Sequence, residues 1–154
     1  MTSNRVKEYL DQNGVKYVSI EHSPAFTAAE VASSAHVAGR GFAKTVVVRM
    51  EGRPAMIVLP ATRRLVLHDL REMLETYQVS IATESDLRTL FPDCEVGAQP
   101  PFGNLYDMDV YIVASLTEQK EIAFNAGTHT EVLAISYNDY ERLVMPRVID
   151  LVTT

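Results

Sequence analysis

Val6, Tyr9 and Leu10 recur at helical spacing behind Ser3, and Gly14 stands where such a helix needs a left-handed residue to end. The chain therefore opens with an amphipathic helix capped by Ser3. A strand follows at residues 17–22. Thr27 with Glu30 three residues on is a capping box, which predicts a second helix over residues 27–35 after the turn at Ser23-Pro24. Gly39-Arg40-Gly41 breaks the chain. Two β-rich runs then follow, residues 45–50 and 55–59, joined through Glu51-Gly52-Arg53-Pro54 as a hairpin or near-hairpin whose strands read as central and buried.

Around His68-Asp69 a third helix carries Leu70, Met73 and Leu74 inward. Thr83 with Asp86 starts a fourth, short helix that ends before Pro92. Gly97-Ala98-Gln99-Pro100-Pro101-Phe102-Gly103 reads as a rigid loop. Strands are expected at residues 110–114, 121–125 and 131–135, then a helix at residues 139–144 and a last strand at residues 148–152. Helices early and strands late favour an α+β domain over a repeating βαβ unit, and no internal repeat or linker divides the chain.

Composition narrows the class. At 154 residues, 47% of them apolar and 22% charged, the chain can bury one core and reads as a single domain over residues 1–154. The lone Cys94 closes no internal disulfide, and four scattered histidines supply no metal-ligand spacing, so no metal or cofactor is expected. With no apolar leader or membrane span, the expected compartment is the cytoplasm, with no membrane partner.

A net charge of −6 argues against a protein that coats nucleic acid, DNA included. The charge is uneven, however. Arg40, Lys44, Arg49, Arg53, Arg63, Arg64 and Arg71 face only Glu51 and Asp69 in the same stretch. This is either a solvated basic edge or a local contact for phosphates, according to whether the side chains share a face.

Candidate chemistry begins with Lys44, which stands between Phe42-Ala43 and the apolar run Thr45-Val46-Val47-Val48. A lysine there either snorkels at the strand end or points into a polar pocket. Flanking glycines and paired prolines allow the loop at Gly97 to present backbone groups to a ligand in a preset arrangement, although such loops are also merely structural. His22, His36, His68 and His129 are titratable near neutrality without a telling spacing, and His129 lies in a polar turn that could form a pocket wall. Cys94 lacks a positioned histidine and reads as inert. No Gly-x-Ser-x-Gly elbow is present.

In order, these segments resemble the YbaK family, the stand-alone relatives of the editing domain of prolyl-tRNA synthetase. His22-Ser-Pro-Ala-Phe-Thr27 resembles the His-x-Pro-x-x-Thr entry segment, and Phe42-Ala-Lys44-Thr the lysine-bearing strand. Gly97-Ala-Gln-Pro-Pro101 resembles the Gly-x-x-x-Pro loop, and Asn125-Ala-Gly127 with Asp139-Tyr-Glu-Arg-Leu143 the closing segment.

The resemblance implies a compact α+β domain with a central mixed, barrel-like sheet flanked by helices. It also implies hydrolysis of the ester joining a wrong small amino acid to the terminal adenosine of tRNA, without a metal and with the substrate's own hydroxyl assisting. Lys44, Gly97 and Pro101 would be catalytic. His22, Phe26, Thr27, Ala98, Gln99, Pro100, Asn125, Gly127 and His129 would bind substrate, with His129 setting which amino acid is accepted. The implied partners are the aminoacyl-tRNA acceptor end and, in some relatives, a synthetase. A non-catalytic module that binds RNA ends, and a hydrolase of another small aminoacyl ester, remain open as alternatives.

Overall fold

The computed structural model describes residues 5–23, 30 and 39–151. The chain runs α1 (Arg5–Gln12), β1 (Val18–Glu21), β2 (Ala43–Met50), β3 (Arg53–Pro60), α2 (Leu67–Leu74), β4 (Val79–Ile81) and α3 (Glu84–Leu90). It continues with β5 (Asp109–Val113), α4 (Ala114–Thr117), β6 (Glu121–Asn125), β7 (Glu131–Ser136), α5 (Tyr137–Val144) and β8 (Arg147–Ile149). Single 3-10 turns lie at Gly39–Gly41 and Gly103–Leu105.

The hairpin forms as the pattern predicts. Glu51 and Gly52 both take positive φ, 52° and 83°, which is the two-residue turn that matches strand twist and closes the Met50–Arg53 pair. β2 and β3 sit inside a five-stranded sheet of order β4-β2-β3-β5-β8. β4, β2 and β3 pair antiparallel, and β3, β5 and β8 parallel. A second, antiparallel sheet has the order β1-β7-β6. A parallel bridge between Phe42 and Ala123 connects the two.

Side-chain alternation explains how the sheets pack. Val47, Met56, Val58, Val110 and Ile112 on one face of the larger sheet share a core with Ile122, Phe124, Leu133 and Ile135 of the smaller one, closed by Val6 and Leu10 of α1 and by Tyr140 of α5. The opposite face, with Val48, Ile57, Leu59, Tyr111 and Val113, is covered by Leu70 of α2. This is an α+β fold whose mixed sheet, in two pieces around one core, is flanked by helices.

Phe102 stands at the middle of the main core, 5.4 Å from the rings of both Phe124 and Tyr140. Each such aromatic pair adds about 0.5–1.5 kcal/mol beyond the area it buries. Gly103 follows because nothing larger fits. A Cβ there would lie 2.6 Å from the Met108 carbonyl oxygen and from Val110 Cγ2.

Some expectations change. Met73 is 39% exposed rather than inward, since α2 is a surface helix whose buried contact is Leu70, with Leu67 and Leu74 partly buried. The last strand is shorter than expected and ends at Ile149. β4 and α4 are not marked by the sequence pattern, for they span three and four residues. The helix predicted at residues 27–35 lies outside the described residues apart from Glu30, which is helical, and so do Ser3, Phe26, Thr27 and His36.

Candidate functional site

The site is built from the loop at residues 95–102, the turn at residues 126–130 and the open end of the β2–β3 hairpin. The loop is anchored at its far end by Phe102 in the core and by the Tyr140 hydroxyl, which donates to the Pro101 carbonyl at 2.7 Å. Phe102 N–H donates to the Pro100 carbonyl at 2.8 Å, tightening the same corner. With two prolines fixing φ, this half of the loop has little freedom.

The near end is clasped to the turn from both sides. Glu95 N–H donates to the Gly127 carbonyl at 2.8 Å, and Gly127 N–H returns a bond to the Ala98 carbonyl at 2.9 Å. The Glu95 carboxylate accepts from His129 N–H at 2.7 Å. His129 Nε2 lies 2.7 Å from the Val96 carbonyl oxygen, which only accepts, so this nitrogen carries a proton. The imidazole in turn covers Gly97, where a Cβ would come within 3.3 Å of His129 Cε1. Gly97 and Gly127 take φ of +88° and +96°, a region closed to most side chains.

The entry segment joins the same turn, because His22 N–H donates to the Thr130 carbonyl at 2.7 Å. The turn is itself held by β7, whose buried Glu131 meets Lys7 and accepts from Ser19 Oγ at 2.8 Å. Asn125 ends β6 on the strand that carries the bridge to Phe42. From that parallel bridge both chains run the same way, so Lys44 and Asn125 each stand two residues beyond it.

Lys44 is half-buried at the mouth of β2, opposite Leu59. It forms no hydrogen bond or ion pair with the described residues. Loss of water holds its pKa below the ordinary lysine value, and the nearby Arg64 lowers it further. Neither effect is offset by a carboxylate, so the cationic form of Lys44 is one that an anion would stabilise.

The basic stretch divides by use. Arg49 is spent internally on Asp86, at 2.6 Å, and Arg71 donates to the Val79 carbonyl at 2.7 Å. Arg63 and Arg64 are exposed, without an ion pair among the described residues, and close to the start of β2. Ala43 pairs with Pro60, Ala61 N–H donates to the Phe42 carbonyl at 2.7 Å, and Arg63 N–H to the Pro60 carbonyl at 3.0 Å. Arg53 stands at the opposite, turn end of the hairpin.

The structure thus brings together Gly97 to Pro101, Gly127, His129 and His22, with Lys44 and Asn125 beside the sheet bridge. Sequence reasoning does not single out Glu95, names Tyr140 only within the closing segment, and has Arg64 only as one of the seven cations of the basic stretch. A lone acid before a loop and a helix tyrosine carry no signal until tertiary contacts give them partners. Elsewhere, His68, Asp69 and Glu72 bring ligand atoms within 4.8 Å of one another on α2, where His68 and Glu72 already pair at 3.2 Å. Cys94 Sγ lies 3.5 Å from the Tyr106 hydroxyl, which donates to Asp93 at 3.1 Å. Among the described residues no helix is long and apolar enough to cross a membrane.

Two sheets joined by one bridge around a common core and flanked by helices define an α+β domain. The chain belongs to the aminoacyl-tRNA editing domain family, whose model matches residues 22–143. Among solved structures it is similar to a candidate trans-editing enzyme for prolyl tRNA synthetase, with 22% identity over 96% of this chain and 94% of that one and a TM-score of 0.81. A hypothetical protein is alike at 21% identity, 96% and 98% coverage and a TM-score of 0.80. A candidate signal transduction protein from Marinobacter aquaeolei VT8 matches at 12% identity and a TM-score of 0.74 over 98% of this chain but 31% of its own. At these identities the likeness is one of fold. No curated protein matches the sequence.

Proposed function

We propose that this chain is a trans-editing hydrolase that removes a small, wrongly attached amino acid from the terminal adenosine of tRNA. The observation that carries this reading is the loop at Gly97, fixed at both ends, in a member of the editing-domain family whose half-buried Lys44 at the mouth of β2 has no described counter-charge.

Loop geometry suits the task. The carbonyls of Val96, Ala98, Pro100 and Pro101 are occupied by internal bonds. The backbone N–H and C=O groups of Gly97 and Gln99 are not engaged by the described residues, which leaves them to hold ribose hydroxyls. An aminoacyl ester is already activated. Its hydrolysis needs a positioned water and stabilisation of developing negative charge, and positioning alone supplies ~7–11 kcal/mol of barrier lowering in well-oriented systems. Lys44 stabilises a phosphate or the developing oxyanion, while the substrate's neighbouring hydroxyl, oriented by the loop, assists the attack.

Editing also gives a second, hydrolytic site its purpose, since synthetic sites discriminate poorly between small side chains that differ by a methylene. The test is deacylation of a panel of alanyl, seryl, cysteinyl and prolyl esters on one tRNA. Turnover of one or more small esters is the expected result. Tight binding of tRNA without turnover would make the chain an RNA-end binding module, and turnover of free aminoacyl esters but not of charged tRNA would make it a hydrolase of another class.

A further inference from the structure

Half of the 14 Lys and Arg side chains are engaged by a carboxylate, a carbonyl oxygen or an aromatic ring. The other half have no such partner among the described residues. Of these, Lys16 precedes β1 and Arg53 lies at the hairpin turn, while Arg40, Lys44, Arg63, Arg64 and Lys120 gather at one end of the larger sheet. The topology fixes that end. β2 starts where the antiparallel β3 finishes, and β5, parallel to β3, finishes there too and leads into α4. The parallel bridge from Phe42 to Ala123 brings the start of β6, and Lys120 just before it, to the same place.

Within this end Arg40 and Lys120 line an open hollow of about 600 Å³ together with Ser115, Glu118 and Gln119. Two cations against one acid leave it positive in a chain that is acidic overall, and a concave surface concentrates that field. The hollow lies across the sheet bridge from Lys44. Arg40 stands two residues before the bridge and Lys44 two after it, so their Cα atoms are at most about 14 Å apart. We propose that this hollow is a second subsite, for the phosphodiester backbone of the nucleotides that precede the terminal adenosine in the acceptor strand. This deepens the deacylase reading and rests on it. Arg40 and Lys120 meet the phosphates, and the Ser115 hydroxyl and the Gln119 amide are neutral donors for phosphate or ribose oxygens. Such contacts add affinity without reading base or amino acid, so the subsite separates an ester carried on RNA from the same ester free in solution.

The experiment compares two probes, adenosine that carries alanine through a 3′-amide instead of the ester, and a short single-stranded RNA that ends in the same group. Arg40→Gln and Lys120→Gln change exposed side chains and should leave the unfolding midpoint as in wild type. Each should bind the RNA probe about fivefold more weakly at low salt and reduce the slope of log affinity against log salt by about 0.7. Glu118→Gln removes the opposing charge and should bind the RNA probe more tightly. None of the three should change binding of the adenosine probe, and with charged tRNA the loss should fall on KM rather than kcat.

Equal losses on the adenosine and RNA probes would show that the hollow is no separate subsite and overturn the inference. So would unchanged RNA binding in Arg40→Gln and Lys120→Gln, or a loss matched by Arg53→Gln at the turn end of the hairpin, which would reduce the effect to overall charge. Failure of the deacylase reading looks different. Wild type would then turn over no charged tRNA, and if its RNA binding still depended on Arg40 and Lys120 the hollow would stand as an RNA subsite while only the reaction fell.

Discussion

At the scale of single residues the site depends on groups that hold one another. His129 shows this best, since its backbone N–H is bound by Glu95 and its ring by the Val96 carbonyl. The resemblance assigns this histidine to choosing the amino acid by size. The bonds give it a second duty, to keep the Gly97 loop in place, and the two roles separate under mutation. If the clasp dominates, His129→Ala slows turnover of every ester by a similar factor, leaves their ranking intact, and is rescued in part by His129→Gln, whose amide nitrogen can still donate to Val96. A changed ranking with the best rate preserved would return His129 to size selection. Lys44 gives a plainer expectation. It is half-buried without a described partner, so Lys44→Ala should lose deacylation by two orders of magnitude or more while the free energy of unfolding changes by no more than about 1 kcal/mol. A mutant that unfolds instead would make the lysine structural.

At the scale of elements, the local signals are the ones a sequence states openly. The Thr83–Asp86 pair forms the expected capping box, with Asp86 N–H donating to Thr83 Oγ1 at 3.0 Å and Thr83 N–H to Asp86 at 2.9 Å. The structure adds what no pattern shows, that the same carboxylate also receives Arg49 from β2 and so ties α3 to the sheet. Those bonds, Arg49 first and then the Thr83 backbone, hold the Asp86 carboxyl well below its usual range. The stabilisation is therefore complete above the ordinary carboxylate pKa, about 4, and is lost as pH falls below it towards the folded value. Acid unfolding followed by circular dichroism should shift to higher pH in Arg49→Gln, and Thr83→Ala should cost about 1 kcal/mol at neutral pH. Elements without such local marks escape the sequence. β4 has one buried residue, Val79, and owes its existence to pairing with β2, and α4 is a single turn after β5. The loop at Gly97 is legible as a loop from its prolines and glycines. Its clasp is not, because Glu95 finds its partners 32 and 34 residues away, at Gly127 and His129.

At the scale of the whole molecule, the proposed deacylase reading requires a chain of net charge −6 to draw in an RNA end by a local field rather than by its overall charge. The fold supplies one by taking Arg49 and Arg71 out of the basic stretch and leaving Lys44, Arg63 and Arg64 together at the open end of the hairpin, next to the sheet bridge. Phosphate contacts there release counter-ions, so the logarithm of the tRNA affinity should fall with the logarithm of salt by about 0.7 per contact on single-stranded RNA. Titrating a fluorescent, uncharged acceptor-stem RNA over a range of KCl concentrations reads that slope directly. Arg64→Gln should flatten it by about 0.7 and weaken binding at low salt, in keeping with one lost phosphate contact. Arg53→Gln, the same change of charge at the far end of the same hairpin, should leave the slope as in wild type. Equal effects from the two substitutions would mean that the RNA senses only the overall charge of the protein, and the open end of β2 and β3 would then have no claim to be the place where the acceptor strand enters.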